Sequence, residues 1–271
     1  MDEFGVGASF AGHVIRAVVG RGGMGVVYRA AWEGRDVALK VIAPELCEDR
    51  EFRIRFEREY RAAASIQHPN VMRVYGAGAD GGRLYVTMRF VDGRDLGQLL
   101  VGGRRLVPSL VADLIAQIAD GLDAVHAHGI VHRDVKPANV LIEGPGGGVH
   151  AVLTDFGLMK NLNSKQRLTM SGTFLGTCNY AAPEQLLATG VDARTDVYAL
   201  GCVLYQALTG SVPFPRDCSA AAMFAHIEAP PPSLPGPFGE IVRRAMAKDP
   251  RDRFASAGEL GRAALAAAAS P

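Results

Sequence analysis

The sequence has little cysteine, and what it has is unpaired in pattern. Cys47, Cys178, Cys202 and Cys218 stand alone, without a CxxC pair or a regular spacing, which argues against a zinc site or a disulfide framework and leaves reduced thiols as the expectation. It also lacks an excess of charge of either sign. With 29 Lys and Arg against 28 Asp and Glu, the net charge is +1, so no global field draws nucleic acid or an anionic membrane, and any phosphate binding must come from a local site. No uncharged apolar run reaches the roughly 18 residues of a membrane-spanning helix. The first residues, Met1 to Gly7, carry two acids instead of a basic leader, so a cytoplasmic domain is expected. No internal repeat is present, and the low-complexity stretches are a glycine-rich turn at Gly144 to Gly148, a loop at Pro230 to Pro237 and an alanine-rich tail.

What is present is a chain of 271 residues, 48% hydrophobic and with 32 glycines, long enough for one large core or two lobes. From Phe10 to Met88 it reads as short β-branched runs, predicting strands near Val14 to Val19, Val26 to Ala31, Val37 to Ile42, Val71 to Tyr75 and Leu84 to Met88, with one helix interrupting them. After Gly93 helical periodicity takes over, at Val107 to His128, Ala193 to Thr209, Gly239 to Ala247 and Ser256 to Ala269. The fold class is therefore α+β: a small antiparallel β-rich lobe with one helix over residues 1–91, then a larger, mainly α-helical lobe over 92–271. The stretch Thr195 to Gly210 is apolar almost all the way round and stops at glycine, which predicts a buried central helix. Ser256 followed by Glu259 is a capping box that opens the last one.

The chemistry begins at Gly20-Arg21-Gly22-Gly23-Met24-Gly25-Val26-Val27, a G-x-G-x-x-G-x-V pattern. Glycines at these places let backbone N–H groups approach phosphate oxygens. A dinucleotide fold would start a helix there, whereas Val26, Val27 and Tyr28 continue as strand and predict a hairpin. A bland glycine-rich hairpin fits that stretch equally well. Thirteen positions past Val27, Lys40 ends an otherwise apolar strand and needs an anionic partner to offset its desolvation. On the following helix Phe52, Phe56, Ala63 and Ile66 share a face, and Glu59 lies within it. Glu57 falls about 140° from Phe52, on the solvent side, so Glu59 is the chosen partner of Lys40.

The decisive stretch is His132-Arg133-Asp134-Val135-Lys136-Pro137-Ala138-Asn139, followed sixteen residues after Asn139 by Asp155-Phe156-Gly157. An Asp near the attacking hydroxyl, a Lys on the transferring group, and an Asn and an Asp holding Mg²⁺ are what phosphoryl transfer by positioning and charge neutralisation requires. A polar loop with coincidental charges would have to produce both strings at the right separation after a glycine turn and a strand lysine.

With these motifs the chain resembles the protein kinases over nearly its whole length, from Phe10 to about Leu265, and most resembles the bacterial eukaryotic-like (Hanks-type) serine/threonine kinases of the PknB type. Ala182-Pro183-Glu184 closes what would be the activation segment, Asp196 to Gly201 matches the D-x-x-x-x-G start of the buried helix, and Arg253 stands where the family places the ion-pair partner of Glu184. The resemblance implies a bilobal kinase-like fold and ATP with Mg²⁺ or Mn²⁺. Gly20, Gly22 and Gly25 would cover the phosphates, and Val19, Val27, Ala38 and Leu141 would sandwich the adenine. Met88 would be the gatekeeper, the backbone at Arg89 and Val91 would meet the purine edge, and Asp95 would reach the ribose. Plain core packing is the alternative for Val27, Ala38 and Leu141, and Arg89 departs from the acidic residue common at that place. Lys136 in H-R-D-x-K, with Gly176-Thr177 ahead of Tyr180, implies serine and threonine acceptors, the Thr177 hydroxyl bridging Asp134 and Lys136.

By the same resemblance the partners are ATP, proteins bearing Ser or Thr, and a second copy of the chain for autophosphorylation in trans, with a homodimer as one arrangement for it. Nucleic acid is not among them. Thr169, Ser171 and Thr173, at eight, six and four residues before Thr177, are the expected activation-loop acceptors. A phosphate there would add roughly −1.5 to −2 charges for Arg133 to meet. The sequence also fits the cytoplasmic domain of a longer, membrane-anchored sensor kinase. Two rivals stand beside this reading. A pseudokinase scaffold would lack one of Lys40, Asp134, Asn139 or Asp155, and a small-molecule kinase of the same fold would not carry the segment from Gly176-Thr177 to Ala182-Pro183-Glu184. For the histidines a modest role is predicted: His126 and His128 would bond orphan carbonyls at a helix end.

Overall fold

The computed structural model describes residues 4–144, 148–155 and 178–270. They form two compact units, one of 4–68 with 72–92, the other of 69–71 with 93–144, 148–155 and 178–270. The first is β-rich and carries one long helix, the second is mainly helical, and the fold is the bilobal α+β arrangement that the sequence predicts.

In the first unit the order is β1 (Ser9–Phe10), β2 (His13–Gly22), β3 (Gly25–Trp32), β4 (Arg35–Ile42), α1 (Pro44–Cys47), α2 (Arg50–Ser65), β5 (Val74–Asp80) and β6 (Arg83–Arg89). The strands make one six-stranded antiparallel sheet in the order β1-β2-β3-β4-β6-β5. Val26, Tyr28, Ala30, Val37, Leu39 and Val41 pack with Phe10 and Ile15 on one face. The pleat sends the alternate residues Val27, Ala38 and Lys40 to the other face. Lys40 lies opposite Val27, and Ala38 opposite Met88, so these four share that second face. Helix α2 starts at Asp49, whose carboxylate accepts the N–H groups of Glu51 and Phe52 at 2.8 and 3.2 Å. It buries Phe52, Phe56, Tyr60 and Ala63.

One strand departs from expectation. The sequence predicts Val71 to Tyr75, but β5 runs Val74–Asp80, and Val71 makes only an isolated bridge to Leu153. Gly76, Ala77, Gly78 and Ala79 have weak strand propensity of their own. They become a strand because Gly81 and Gly82, at φ +53° and +80°, form the left-handed two-residue turn that pairs them with β6.

The second unit holds β7 (Gly93–Asp95), α3 (Leu96–Leu99), α4 (Pro108–Ala127), β8 (Val140–Glu143), β9 (His150–Leu153), α5 (Pro183–Leu187), α6 (Ala193–Thr209), α7 (Ser219–Glu228), α8 (Phe238–Ala245) and α9 (Ala257–Ala268). Strands β7, β8 and β9 make a three-stranded antiparallel sheet. Helix α6 is the predicted central strut: every residue from Thr195 to Leu204 is buried. At Gly201 a Cβ would stand 2.7 Å from the Ala245 Cβ, so glycine is what lets α8 pack so closely. Helix α6 ends at Gly210 in the left-handed region, φ +78°. Ser256 caps α9 by accepting the Glu259 N–H at 3.2 Å, while the Glu259 carboxylate reaches back to the N–H of Ala255 at 3.0 Å.

Candidate active site

The glycine pattern is the turn of a hairpin, as the sequence predicts. Strand β2 ends at Gly22, β3 begins at Gly25, and the two glycines are paired. Gly25 has φ +139°, and a Cβ there would lie 2.0 Å from the Val41 carbonyl oxygen. No other residue fits. On the sheet face shared with Val27, Lys40 is buried although it ends in an ammonium, and Ala38 and Met88 are buried with it. Val19 is half exposed, at 50%. Glu59 is half-buried on α2 beside Phe56 and Tyr60, and Glu57 is exposed. Lys40 and Glu59 both engage in polar or electrostatic interactions. The Arg89 N–H donates to the Arg73 carbonyl at 2.9 Å. Val91 is buried.

In the helical unit the loop of Asp134 is built around a buried carboxylate. Asp196, fully buried on α6, accepts the His132 N–H through Oδ2 and the Arg133 N–H through Oδ1, both at 2.8 Å. The His126 Nε2 meets Oδ2 at 2.7 Å. These bonds fix two successive peptide planes and hold Arg133 at φ +62°, a conformation that an ordinary residue adopts only where its surroundings impose it. His132 then sets the next one. Its Nδ1 accepts the Asp134 N–H at 3.2 Å, so the proton is on Nε2 and goes to the Thr154 carbonyl at 3.1 Å. Burial pushes the His132 imidazole below its usual value, against the raising influence of Asp196 and Asp134. A neutral ring is what this bonding pattern needs.

The Asp134 side chain is thereby presented to Lys136 and Asn139. Its Oδ2 lies 3.0 Å from Lys136 Nζ and 3.1 Å from Asn139 Nδ2. Asn139 also donates to the Asp134 carbonyl at 2.8 Å. Its backbone is held from both sides, N–H to the Lys136 carbonyl and carbonyl to the Thr154 N–H, each at 2.9 Å. That last bond places Asn139 across from Thr154, next to Asp155. Asp155 is exposed and has φ +54°. The structure thus gathers Asp134, Lys136, Asn139 and Asp155 in one unit. Leu141 is opposite Asp95 in the β7–β8 pairing, and the Asp95 carboxylate caps α3 by accepting the Gln98 N–H at 2.9 Å. Phe156, Gly157, Gly176, Thr177 and the acceptors Thr169, Ser171 and Thr173 lie outside the described residues.

Beyond the loop, Arg253 and Glu184 form a bidentate pair, Nη1 to Oε1 at 2.7 Å and Nη2 to Oε2 at 2.8 Å. Burial alone would raise the Glu184 carboxyl, but the bonds and charge of Arg253 outweigh it and hold the group below the usual carboxylate value. His126 departs from the expected bond to an orphan carbonyl. His128 does bond a carbonyl, that of Ala124 at 2.9 Å, whereas His126 reaches Asp196, 70 residues away in sequence. Two residues further along a helix of about 3.6 residues per turn, a side chain points to the other side. The inward one meets α6, and no local pattern announces that.

A family model described as the protein kinase domain matches residues 13–261. The chain is 42% identical over 277 residues to the serine/threonine-protein kinase PknJ of Mycobacterium tuberculosis, an alignment covering 98% of this chain and 47% of that protein. With PknE of the same species identity is 41% over 273 residues, covering 97% and 47%. Among solved structures, the kinase domain of Mycobacterium tuberculosis PknI superposes with a TM-score of 0.79 at 30% identity, over 99% of this chain and 100% of that one. The chain spans about half the length of the curated relatives it matches.

Proposed function

Because the chain belongs to the protein kinase family, we propose that it transfers the γ-phosphoryl group of ATP to serine and threonine hydroxyls of protein substrates. The observation that carries this reading is the Asp134 carboxylate, held at 3.0 Å from Lys136 and 3.1 Å from Asn139 on a loop whose peptide planes are fixed by Asp196. In the proposed step the acceptor oxygen attacks the γ-phosphorus while its proton passes to Asp134. The bond from that phosphorus to the β–γ bridging oxygen breaks, and ADP leaves. Lys136 stabilises charge on the phosphoryl group in flight, and Thr177 orients Asp134 and Lys136 toward a shallow acceptor site. Lys40, with Glu59 as its partner, positions the other phosphates, and the backbone of Gly20, Gly22 and Gly25 covers them. Val19, Val27, Ala38, Met88 and Leu141 take the adenine, Arg89 and Val91 its polar edge, and Asp95 the ribose.

Asn139 and Asp155 suit Mg²⁺ or Mn²⁺. Mg²⁺ takes oxygen donors from one or two side chains and completes its shell with phosphates and water. An amide from Asn139 and a carboxylate from Asp155, the residue after the Thr154 that bonds the Asn139 carbonyl, would meet that need without a larger acidic cluster. When bound, the metal neutralises charge on the β- and γ-phosphates.

Autophosphorylation in trans at Thr169, Ser171 or Thr173, with Arg133 receiving the new phosphate, belongs to the same proposal. So does the domain's place in a longer kinase: no helix among the described residues is long and apolar enough to cross a membrane, and the relatives it matches are about twice as long. The test is transfer from labelled ATP with Mg²⁺ or Mn²⁺ to casein and to the chain itself. Asp134→Asn and Lys40→Met should lower it by about 10²-fold or more with little change in melting temperature. Rates within a few-fold of wild type would sink the assigned roles, and a wild type that binds ATP without transferring phosphate would point to a scaffold.

A further inference from the structure

Away from the loop of Asp134, the buried titratable groups of the helical unit gather around Lys248. Its ammonium donates to the His226 carbonyl at 2.7 Å and to that of Ala225 at 3.4 Å. It also stands 4.9 Å from the centre of the Phe214 ring and 5.7 Å from that of Tyr198. Both carbonyls lie at the C-terminal end of α7, where the helix dipole is negative and a cation is stabilising. Helix α7 buries only Ala222, Ala225 and His226, and it leaves Phe224 67% exposed. So small an apolar footing makes its polar attachments matter. One is the His226 Nδ1 bond to the Tyr198 hydroxyl at 2.9 Å, and Lys248 supplies another.

Lys248 continues through its own backbone. Its carbonyl accepts Arg253 Nη2 at 3.1 Å, from the same guanidinium that grips Glu184. A single residue therefore joins the end of α7 to the ion pair that anchors α5 and the close of the segment running from Asp155 to Glu184. We propose that Lys248 is a positioning residue for the protein substrate, tying α7 to the Glu184–Arg253 anchor, so that its loss weakens protein-substrate binding and spares ATP. The proposal rests on the kinase reading above, in which Thr177, within that segment, helps form the acceptor site for the protein substrate.

Burial lowers the Lys248 ammonium to about 8, against the pull of Cys202 and Glu228 and with the push of Arg253. Burial holds the neighbouring Cys202 thiol and Tyr198 hydroxyl far above their usual values. His226 is pushed down to about 4 by burial and by Lys248, and Glu184 is held low by Arg253 in spite of its burial. Among these groups the one that changes charge between pH 7 and 9 is Lys248.

The experiment compares wild type, Lys248→Met and Lys248→Arg by amide hydrogen exchange and by kinetics with dephosphorylated casein and ATP. In Lys248→Met, exchange over 183–187 and 219–229 should accelerate by about tenfold. The KM for casein should rise by about five- to tenfold while the KM for ATP stays within about twofold. Lys248→Arg, which keeps its charge at alkaline pH, should restore both. In wild type the casein KM should climb from pH 7 to 9, and in Lys248→Arg that climb should vanish. Unchanged exchange in Lys248→Met, an ATP KM that rises in step with that for casein, or an alkaline climb that persists in Lys248→Arg overturns the proposal. If wild type transfers nothing to casein, the kinase reading fails and the exchange comparison alone decides the role of Lys248. If Lys248→Met does not fold, exchange of wild type against Lys248→Arg over the same pH range decides it.

Discussion

Among the described residues of the helical unit two carboxylates are buried, and they are held in opposite ways. Asp196 meets two backbone N–H groups and one imidazole; Glu184 meets a guanidinium edge-on and the Thr195 hydroxyl at 2.8 Å. Asp196 spends its bonds on consecutive peptides and so dictates a local conformation, the left-handed Arg133 from which Asp134 follows. Glu184 spends them on a side chain 69 residues away and so sets the spacing of α5 against the turn after α8. An anion satisfied by backbone shapes a loop, whereas an ion pair of this kind ties elements together.

Removing a partner should therefore hurt most where the partner is a charge. Arg253→Ala leaves Glu184 buried without its cation and should cost about 3 to 5 kcal/mol of stability. Urea unfolding measures it, and Arg253→Met with Glu184→Leu should recover much of the loss because burying neither charge avoids the penalty. A single-variant loss below about 1 kcal/mol would show that the pair is not what ties α5 in place.

Acid sharpens the contrast from another side, through histidines that must stay neutral. His226, wholly buried, is pushed from 6.5 to about 4 by burial and by Lys248, and His132 is lowered by burial as well. The unfolded chain takes up a proton near the ordinary value while the folded one does not, so stability is full above pH 6.5 and is lost as pH falls toward 4. At about 1.4 kcal/mol per unit, His226 contributes a loss on the order of 3 kcal/mol. Unfolding of wild type and His226→Gln at pH 7 and pH 4.5 reads it: the variant should lose clearly less over that interval, and equal losses would remove His226 as the cause.

The same two carboxylates mark how far the sequence could be read. The loop of Asp134, the strand lysine and the hairpin glycines were legible because their chemistry fixes residue types at short spacings, and Gly25 is a case where the backbone admits nothing else. Helix α6 was legible from its unbroken apolar surface. Strand β5 was displaced, since Gly76 to Ala79 become a strand only by pairing with β6. The sheet of β7, β8 and β9 and helix α7 escaped for a related reason: they are short, and long-range packing makes them. At the site, the place of Glu184 opposite Arg253 came from family resemblance, while the reach of His126 to Asp196 and of Lys248 to α7 depends on contacts that join residues 70 and 22 positions apart. No local periodicity encodes such contacts.

The smallest expected effect separates two histidines that stand two positions apart. His126 is the third donor to Asp196, bonded at 2.7 Å with its side chain 11% exposed, whereas His128 bonds one carbonyl from an exposed position. Removing the His126 ring leaves Asp196 with its two backbone donors, so the buried carboxylate stays satisfied and the loss should be moderate. His126→Ala is expected to cost about 1 to 2 kcal/mol, a charge-assisted bond together with some packing. His128→Ala should stay within about 0.5 kcal/mol. Because the lost bond also braces the Asp196 oxygen that holds the His132 N–H, His126→Ala should lower the rate of transfer more than it raises KM for ATP. A double-mutant cycle with Asp196→Asn isolates the pair and should return a coupling of about 1 kcal/mol. A coupling near zero would mean that the two backbone N–H groups alone hold the loop, and that His126 is packing.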